Sequence, residues 1–427
     1  MDELKKEKKS NYSRVIIATC ALMLFVGLGF CSSSKGIFLN PILHNTGLDR
    51  GPYAFSDSFR YITTAVVNIF FGVLIVKLGV KMLVGLGFLA LSGSMVLYAV
   101  SNQLWSFYIA GALLGLGLAW TTTTMVGYII NKWVSKNRGT VMGFILATNG
   151  LGGALAVNVF TPIIESGATG YKTAYFIIAM VVALVGVITV LFIKDKKAET
   201  DETVKKEPKG DNWVGIDTKT AFKKPYFFWA MVGIFITGLV LQSITGVFHA
   251  HMENVKIETG LRTIITTVSM FILTCTKFLV GFVYDKKGLR LTMTITFICS
   301  ILAMVSLAFI EPTPFGNALC FIYVILADTA LPLETIMLPI YAGDLFGRKD
   351  YPKFLGLCVS VNTAGYALGS PIMGFVYDAF GSYVPAFFVG AGLMLVTIVI
   401  MQFVLNSANK EKIRVAQLQK GKSENIA

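Results

Sequence analysis

The chain has 427 residues, is 55% hydrophobic and only 14% charged, and has a mean hydropathy of +0.68. Soluble domains carry about 25% charged residues, so this composition excludes an ordinary soluble enzyme or binding domain and points to an integral membrane protein. The formal net charge of +13 would suit a nucleic-acid binder, but its distribution along the chain excludes that reading.

Residues 1–14, MDELKKEKKSNYSR, form a basic tail. The apolar run that follows is too long for the core of a signal peptide and ends in no cleavage pattern, so it reads as an uncleaved first span. A helix needs about 20 apolar residues to cross the hydrocarbon core. Twelve stretches qualify: 15–39, 53–76, 82–101, 104–130, 140–163, 171–193, 226–250, 260–284, 291–310, 315–342, 354–380 and 383–405, here spans 1 to 12. Strand-like alternation is absent, which argues against an outer-membrane barrel.

With the N-terminus placed in the cytoplasm, 30 of the 37 Lys and Arg lie in the tails and in the connections that follow even-numbered spans. Arg50, Lys172, Lys256 and Arg262 fall on the other side, and Lys35, Arg60 and Lys277 fall within spans. This positive-inside pattern predicts a multi-pass protein of an inner or plasma membrane with both termini cytoplasmic. The basic excess is then a topology signal with anionic lipid as its partner, not nucleic acid.

The stretch 194–225 is charged, poor in apolar residues and reads as a cytoplasmic linker. It separates a bundle over 15–193 from a second over 226–405, followed by a tail over 406–427. The halves repeat. GVLIVKLGVK from Gly72 matches GFVYDKKGLR from Gly281, and NKWVSKNRGTVMG from Asn131 matches DLFGRKDYPKFLG from Asp344. At the second offset, 213 residues, Gly143 pairs with Gly356, Asn149 with Asn362 and Gly152 with Gly365. Parallel six-helix repeats with a site between them are one recurring transporter plan.

A charge at bilayer depth costs at least about 2.5–3.5 kcal/mol on insertion scales, so each one needs a reason. In span 1, GFCSSSKGIFLNP carries Lys35 after three serines, about 30 Å along the axis from Arg14. Geometry leaves two readings open: the side chain snorkels to the headgroups, or it waits for an anion with Ser33 and Ser34 beside it. In span 2, Asp57 and Arg60 stand i, i+3 and are placed to neutralise each other near the outer boundary. In span 8, Lys277 lies eight residues before Asp285, about 12 Å deep and beyond easy snorkelling.

Span 10 holds Asp328 in YVILADTALPLETIMLP. Pro332 has no N–H to give, so the carbonyl of residue 328 loses its helix partner at the turn that carries a buried carboxyl. Interrupted helices at mid-depth commonly line a cavity, which makes Asp328 a candidate proton carrier. Glu334 follows about 9 Å further along, as a gate, packing or coupling group.

No phosphate loop of the G-x-x-x-x-G-K-[ST] type occurs, so the chain carries no ATPase motif. The paired glycines of GLGFLA and GLGLAW sit in hydrophobic helices with no preceding strand and are not dinucleotide sites. His44, His249 and His251 are too few and too badly spaced for a metal site. All six cysteines fall inside spans with no C-x-x-C, as small apolar residues. No nucleophile–base pair suggests an enzyme, and no cofactor is implied.

GVLIVKLGVK and GFVYDKKGLR resemble the loop motif of the major facilitator superfamily. The second copy is intact in Gly281, Asp285, Gly288 and Arg290, which the resemblance marks as gating residues; the first has Val76 where the family usually has Asp. GLGLAWTTTTMVGYIINKWVSKNRGTVMGFILATNGLGG and GFVYDAFGSYVPAFF resemble the monocarboxylate transporters and the oxalate/formate antiporters. That resemblance puts Lys277 at the place of an arginine on the eighth helix that binds substrate carboxylate, with Leu273 where the monocarboxylate group has an aspartate. It gives Lys35 a part in substrate binding and proton coupling, and puts Ala364 where the oxalate/formate group has a second lysine, against a doubly charged substrate.

The expectation is an all-α major facilitator fold, working as a monomeric secondary transporter of a small organic anion by proton symport or anion exchange. Lys277, Lys35, Ser33 and Ser34 would bind the anion. Asp328 or Glu334 would carry the proton, and Asp57 and Arg60 would join the loop residues in gating. Two other readings differ in kind: an exporter of bulky drug-like or bile-acid-like anions, and a non-transporting membrane receptor.

Overall fold

A backbone in hydrocarbon must satisfy its own polar groups, which makes helices of long apolar runs. The computed structural model describes residues 2–48, 50–134, 136–193 and 215–424; residues 194–214 of the expected linker lie outside the described residues. Span 1 is built from α1 (Asp2–Leu24), a π-helical stretch Phe25–Ser33, a 3-10 turn Lys35–Phe38 and α2 (Leu39–Thr46). Spans 2 and 3 share α3 (Arg50–Val100); span 4 is α4 (Leu104–Thr121) with α5 (Thr123–Trp133); spans 5 and 6 are α6 (Arg138–Glu165) and α7 (Gly170–Phe192). After α8 (Thr218–Ala221), span 7 is α9 (Pro225–Asn254) and spans 8 and 9 share α10 (Thr259–Ala308). Span 10 is α11 (Pro314–Ala330), α12 (Pro332–Thr335) and α13 (Met337–Phe346), and spans 11 and 12 are α14 (Tyr351–Phe380) and α15 (Val384–Glu424).

Among the described residues, nine helical stretches are long and apolar enough to cross a membrane. Two of them, Phe55–Val100 and Gly260–Ala308, run 46 and 49 residues, too long for one crossing of about 20. Each is broken by one glycine outside helical geometry, Gly79 (φ 76°, ψ 166°) and Gly288 (φ 78°, ψ 175°). A side chain disfavours positive φ, so the break falls at the glycine of each repeated cassette. Each of the two long stretches therefore supplies two spans, and α14 adds the last of the twelve. Large apolar side chains such as Val76, Phe271 and Phe375 are exposed, as a lipid-facing surface requires and a soluble protein avoids.

The described residues fall into two compact units, within Met1–Lys206 plus Lys277–Gly281 and within Glu207–Thr276 plus Phe282–Ala427. Close backbone contact through glycine organises each. In the first, a Cβ on Gly152 of α6 would stand 2.1 Å from the Phe25 carbonyl oxygen. In the second, a Cβ on Gly365 of α14 would stand 2.2 Å from the Phe235 oxygen.

Span 1 is not the uniform α-helix that its hydropathy suggests. It widens into the π-helical stretch where Gly29 lies against Gly152 and Gly153, and a Cβ on Gly29 would come within 2.8 Å of that backbone. The Ser34 N–H then reaches back to the Gly29 oxygen at 3.3 Å, and the chain tightens into the 3-10 turn that begins at Lys35. Such irregularities mark functional sites often enough to direct attention there.

Candidate functional site

In the first unit the 3-10 turn brings Lys35 against the first limb of α3. Lys35 Nζ donates to Asp57 Oδ1 at 2.7 Å and to the Tyr98 hydroxyl at 3.0 Å, and it lies 4.9 Å from the centre of the Tyr98 ring. The Arg60 Nε lies 3.3 Å from the same Asp57 oxygen, so one carboxylate oxygen serves two cations. The Arg60 guanidinium also donates to Ser32 Oγ at 2.7 Å. The two cationic side chains are only 13% and 11% exposed, whereas that of Asp57 is 46% exposed. Lys35 is thus tied into a buried cluster and does not reach away from the protein as snorkelling requires. Around it stand Tyr53, Tyr98, Tyr175, Phe38 and Phe107, with Phe38 stacked on Tyr175 at 4.0 Å and Tyr98 on Tyr175 at 5.4 Å.

The serines divide the work differently from the sequence expectation. Ser32 holds Arg60, the Ser34 hydroxyl is buried and donates to the Phe30 carbonyl of its own helix at 2.6 Å, and Ser33 is exposed.

Lys277 is buried and packs within the first unit. Its Nζ donates to Asn149 Oδ1 of α6 at 2.8 Å. Two glycines let the backbones come together there: a Cβ on Gly143 would stand 2.4 Å from the Lys277 carbonyl oxygen, and one on Gly281 would stand 2.1 Å from the Gly139 oxygen. In the sequence Asn149 is legible only as a landmark of the repeat; its pairing with Lys277 needed the fold.

In the second unit Asp328 is buried, and its Oδ2 accepts the Ser269 hydroxyl at 2.8 Å. Its backbone carbonyl, left without a helix donor by Pro332, accepts the Thr276 hydroxyl at 2.7 Å. Burying an unpaired carbonyl costs more than a typical net hydrogen bond is worth, which accounts for the threonine. Glu334 follows on α12 with one carboxyl oxygen, Oε1, buried and without a hydrogen-bond partner. Further along α10, Tyr284 donates to Asp344 at 3.0 Å and Arg290 donates to Asn406, while Asp285 lies between them in sequence on the same helix.

Among the described residues no three His, Cys, Asp or Glu side chains gather as a metal site would need. His251 is buried with Nε2 at 2.9 Å from the Leu307 oxygen, and the side chain of His249 lies outside the described residues.

The sequence profile of the Major Facilitator Superfamily matches residues 17–338. The chain belongs to that superfamily. It is 24% identical over 231 residues to the uncharacterized MFS-type transporter YcxA of Bacillus subtilis (strain 168), a match spanning 53% of this chain and 54% of that one. It is 24% identical to the multidrug resistance protein MdtG of Escherichia coli O9:H4 (strain HS), over 79% of this chain and 80% of that one. It is 20% identical to the sialic acid transporter NanX of Escherichia coli (strain K12), over 79% of each. The solved structure of the proton:xylose symporter XylE superposes with a TM-score of 0.70 at 13% identity, covering 93% of this chain and 96% of that one. That likeness carries the fold: twelve helices in two six-helix repeats. The chain is a multi-pass membrane transporter of this superfamily.

Proposed function

We propose that this transporter moves a small organic anion, a carboxylate, by alternating access. The observation that carries the reading is the held cationic group of the first unit: Lys35 anchored at Tyr98 and Asp57, beside Arg60 anchored at Ser32. Spans 1 to 6 bury two cations there around one carboxylate, and Lys277 adds a third cation to that unit. A membrane interior tolerates such an excess where an anion visits.

In this reading Lys277 and Lys35 supply the positive charge and Ser33 offers a hydroxyl. Asp328 is the proton carrier, its carboxyl buried against Ser269, and Glu334, with an unpartnered oxygen, is the gate. Asp285, Arg290 and Gly281 shape the turn that moves with each cycle. The membrane is the plasma or inner membrane, with both tails cytoplasmic, an orientation that the charge bias of the connections supports. The similarity to a sialic acid transporter supports an acidic substrate, and the similarity to a multidrug resistance protein supports the competing reading of bulkier cargo.

The test is the internal pH of dye-loaded proteoliposomes while lactate, pyruvate, gluconate and a bulky bile-acid anion are added outside, against protein-free vesicles. Saturable acidification by one small carboxylate supports the reading with proton coupling, and saturable exchange without a pH change supports anion antiport. Response to the bulky anion alone overturns the small-substrate assignment.

A further inference from the structure

The Lys35–Asp57–Arg60 cluster holds more than a gating pair requires. Lys35 has two fixed partners, the Tyr98 hydroxyl and Asp57. Arg60 has Ser32 as well as Asp57. Each cation therefore keeps an anchor if Asp57 leaves, whereas among the described residues the ion pairs of Asp57 are with these two cations. Asp57 is also the open member, with 46% of its side chain exposed against 13% for Lys35. An ammonium has three N–H donors, and two of those on Lys35 are used within the protein.

The geometry points to Asp57 as an internal stand-in for the substrate: a carboxylate that occupies the Lys35 site when it is empty and gives it up, on taking a proton, to the carboxylate of the transported anion. The inference rests on the anion-transport reading and deepens it by placing the proton taken up on anion binding at Asp57, in the anion site itself, in place of Asp328. The charges balance. The Asp57 carboxylate plus one proton becomes a neutral carboxylic acid, and the substrate carboxylate takes its place beside the Lys35 ammonium. The cluster ends with the charge it began with, and one proton has entered with one anion.

Among the described residues, the other titratable groups facing the cluster are Tyr53 on α3 and Tyr175 on α7, beside Asp57, and Tyr98 on α3, beside Lys35. Phenols stay neutral across the physiological range, so Lys35 and Arg60 set the charge that Asp57 meets. Desolvated ion pairs left with one partner missing are costly. An empty site therefore needs an internal carboxylate, and a filled one must be rid of its charge.

The test is calorimetry of the purified full chain with lactate, pyruvate and gluconate, in pairs of buffers of different ionisation enthalpy, from pH 5.5 to 8.5. The wild-type protein should take up close to one proton per anion bound, and its affinity should fall about tenfold per pH unit where Asp57 is ionised. In Asp57→Asn, a permanently neutral stand-in, binding should persist, proton uptake should vanish and affinity should be flat with pH. Asp57→Ser repeats the test should the amide not be tolerated, and Asp57→Glu should retain the uptake. Unchanged proton uptake in the neutral variants overturns the proposal and moves the proton elsewhere, with the anion reading intact. Binding lost in them at every pH makes Asp57 a structural counter-ion and also overturns it. If none of the three anions binds the wild-type protein, the anion reading falls and takes this proposal with it.

Discussion

The two units share their scaffold and differ in their charges. Gly79 and Gly288, 209 residues apart, make the same break with nearly the same dihedrals. Gly152 and Gly365, 213 apart, press on the carbonyls of Phe25 and Phe235. Span 4 is interrupted at Thr122 and span 10 between Ala330 and Met337, around the position 213 residues on from Thr122. The carbonyl of Gly115 accepts the Thr64 hydroxyl, and that of Asp328, 213 on, accepts the Thr276 hydroxyl. The ions do not repeat. At the offset of 209 the counterparts of Asp57 and Arg60 are Thr266 and Ser269; Thr266 bonds its own helix and Ser269 serves Asp328. Duplication preserves what packing requires, and what it does not preserve is where the chemistry of this particular chain is to be sought.

The largest effects are expected at the shared glycines. Gly152→Val and Gly365→Val should each abolish folded, monodisperse protein, and to the same degree. The added atom meets backbone at 2.1 and 2.2 Å, and overpacking of even yielding side chains costs about 1–3 kcal/mol. A normal melting temperature for either would show that the units do not depend on the same contact. Size-exclusion profiles and thermal melts decide it.

The smallest effect is expected where the units differ only in a cap. Asn137 precedes α6 and Asp350, 213 on, precedes α14. Asp350 ties in the end of the linker region, accepting the Thr218 N–H at 2.8 Å and its hydroxyl at 2.7 Å. Partial burial pushes the Asp350 carboxyl upward, but the Thr218 bonds and Lys353 outweigh it and hold the group below its ordinary value. A depressed carboxyl contributes stability that is full above the unfolded value near about 3.9 and is lost as pH falls through the folded one. Asp350→Asn should therefore lower the melting temperature slightly and by a constant amount from pH 5 to 8, with the difference closing in stronger acid. A difference that grows with rising pH would contradict the assignment.

Most of the fold was legible because hydropathy and glycine act locally. Twelve apolar runs, two cassettes and the glycine pairs at 213 can be read without coordinates. The π-helical stretch Phe25–Ser33 was not legible, since its cause is the approach of Gly152 and Gly153 from another helix. Span 4 breaks at Thr122 without a proline to announce it. At the site, depth singled out Lys277 and Asp328, the family resemblance added Lys35, and the missing N–H of Pro332 revealed the stranded carbonyl. Their partners Tyr98, Asn149, Ser269 and Thr276 are ordinary residues of apolar helices, and only three-dimensional packing identifies them.

Substrate class and the two lysines are tested together by counterflow of labelled lactate, pyruvate and gluconate in sealed proteoliposomes, with xylose as a neutral control, for wild type, Lys277→Gln and Lys35→Gln. Saturable counterflow of at least one carboxylate is expected, and none of xylose. Lys277→Gln should lose about 10- to 150-fold in rate, the worth of a charge-assisted hydrogen bond at about 1.5–3 kcal/mol, and Lys35→Gln should lose less. Counterflow of xylose in place of any carboxylate, or a Lys277→Gln variant that exchanges carboxylate at the wild-type rate, would contradict these expectations.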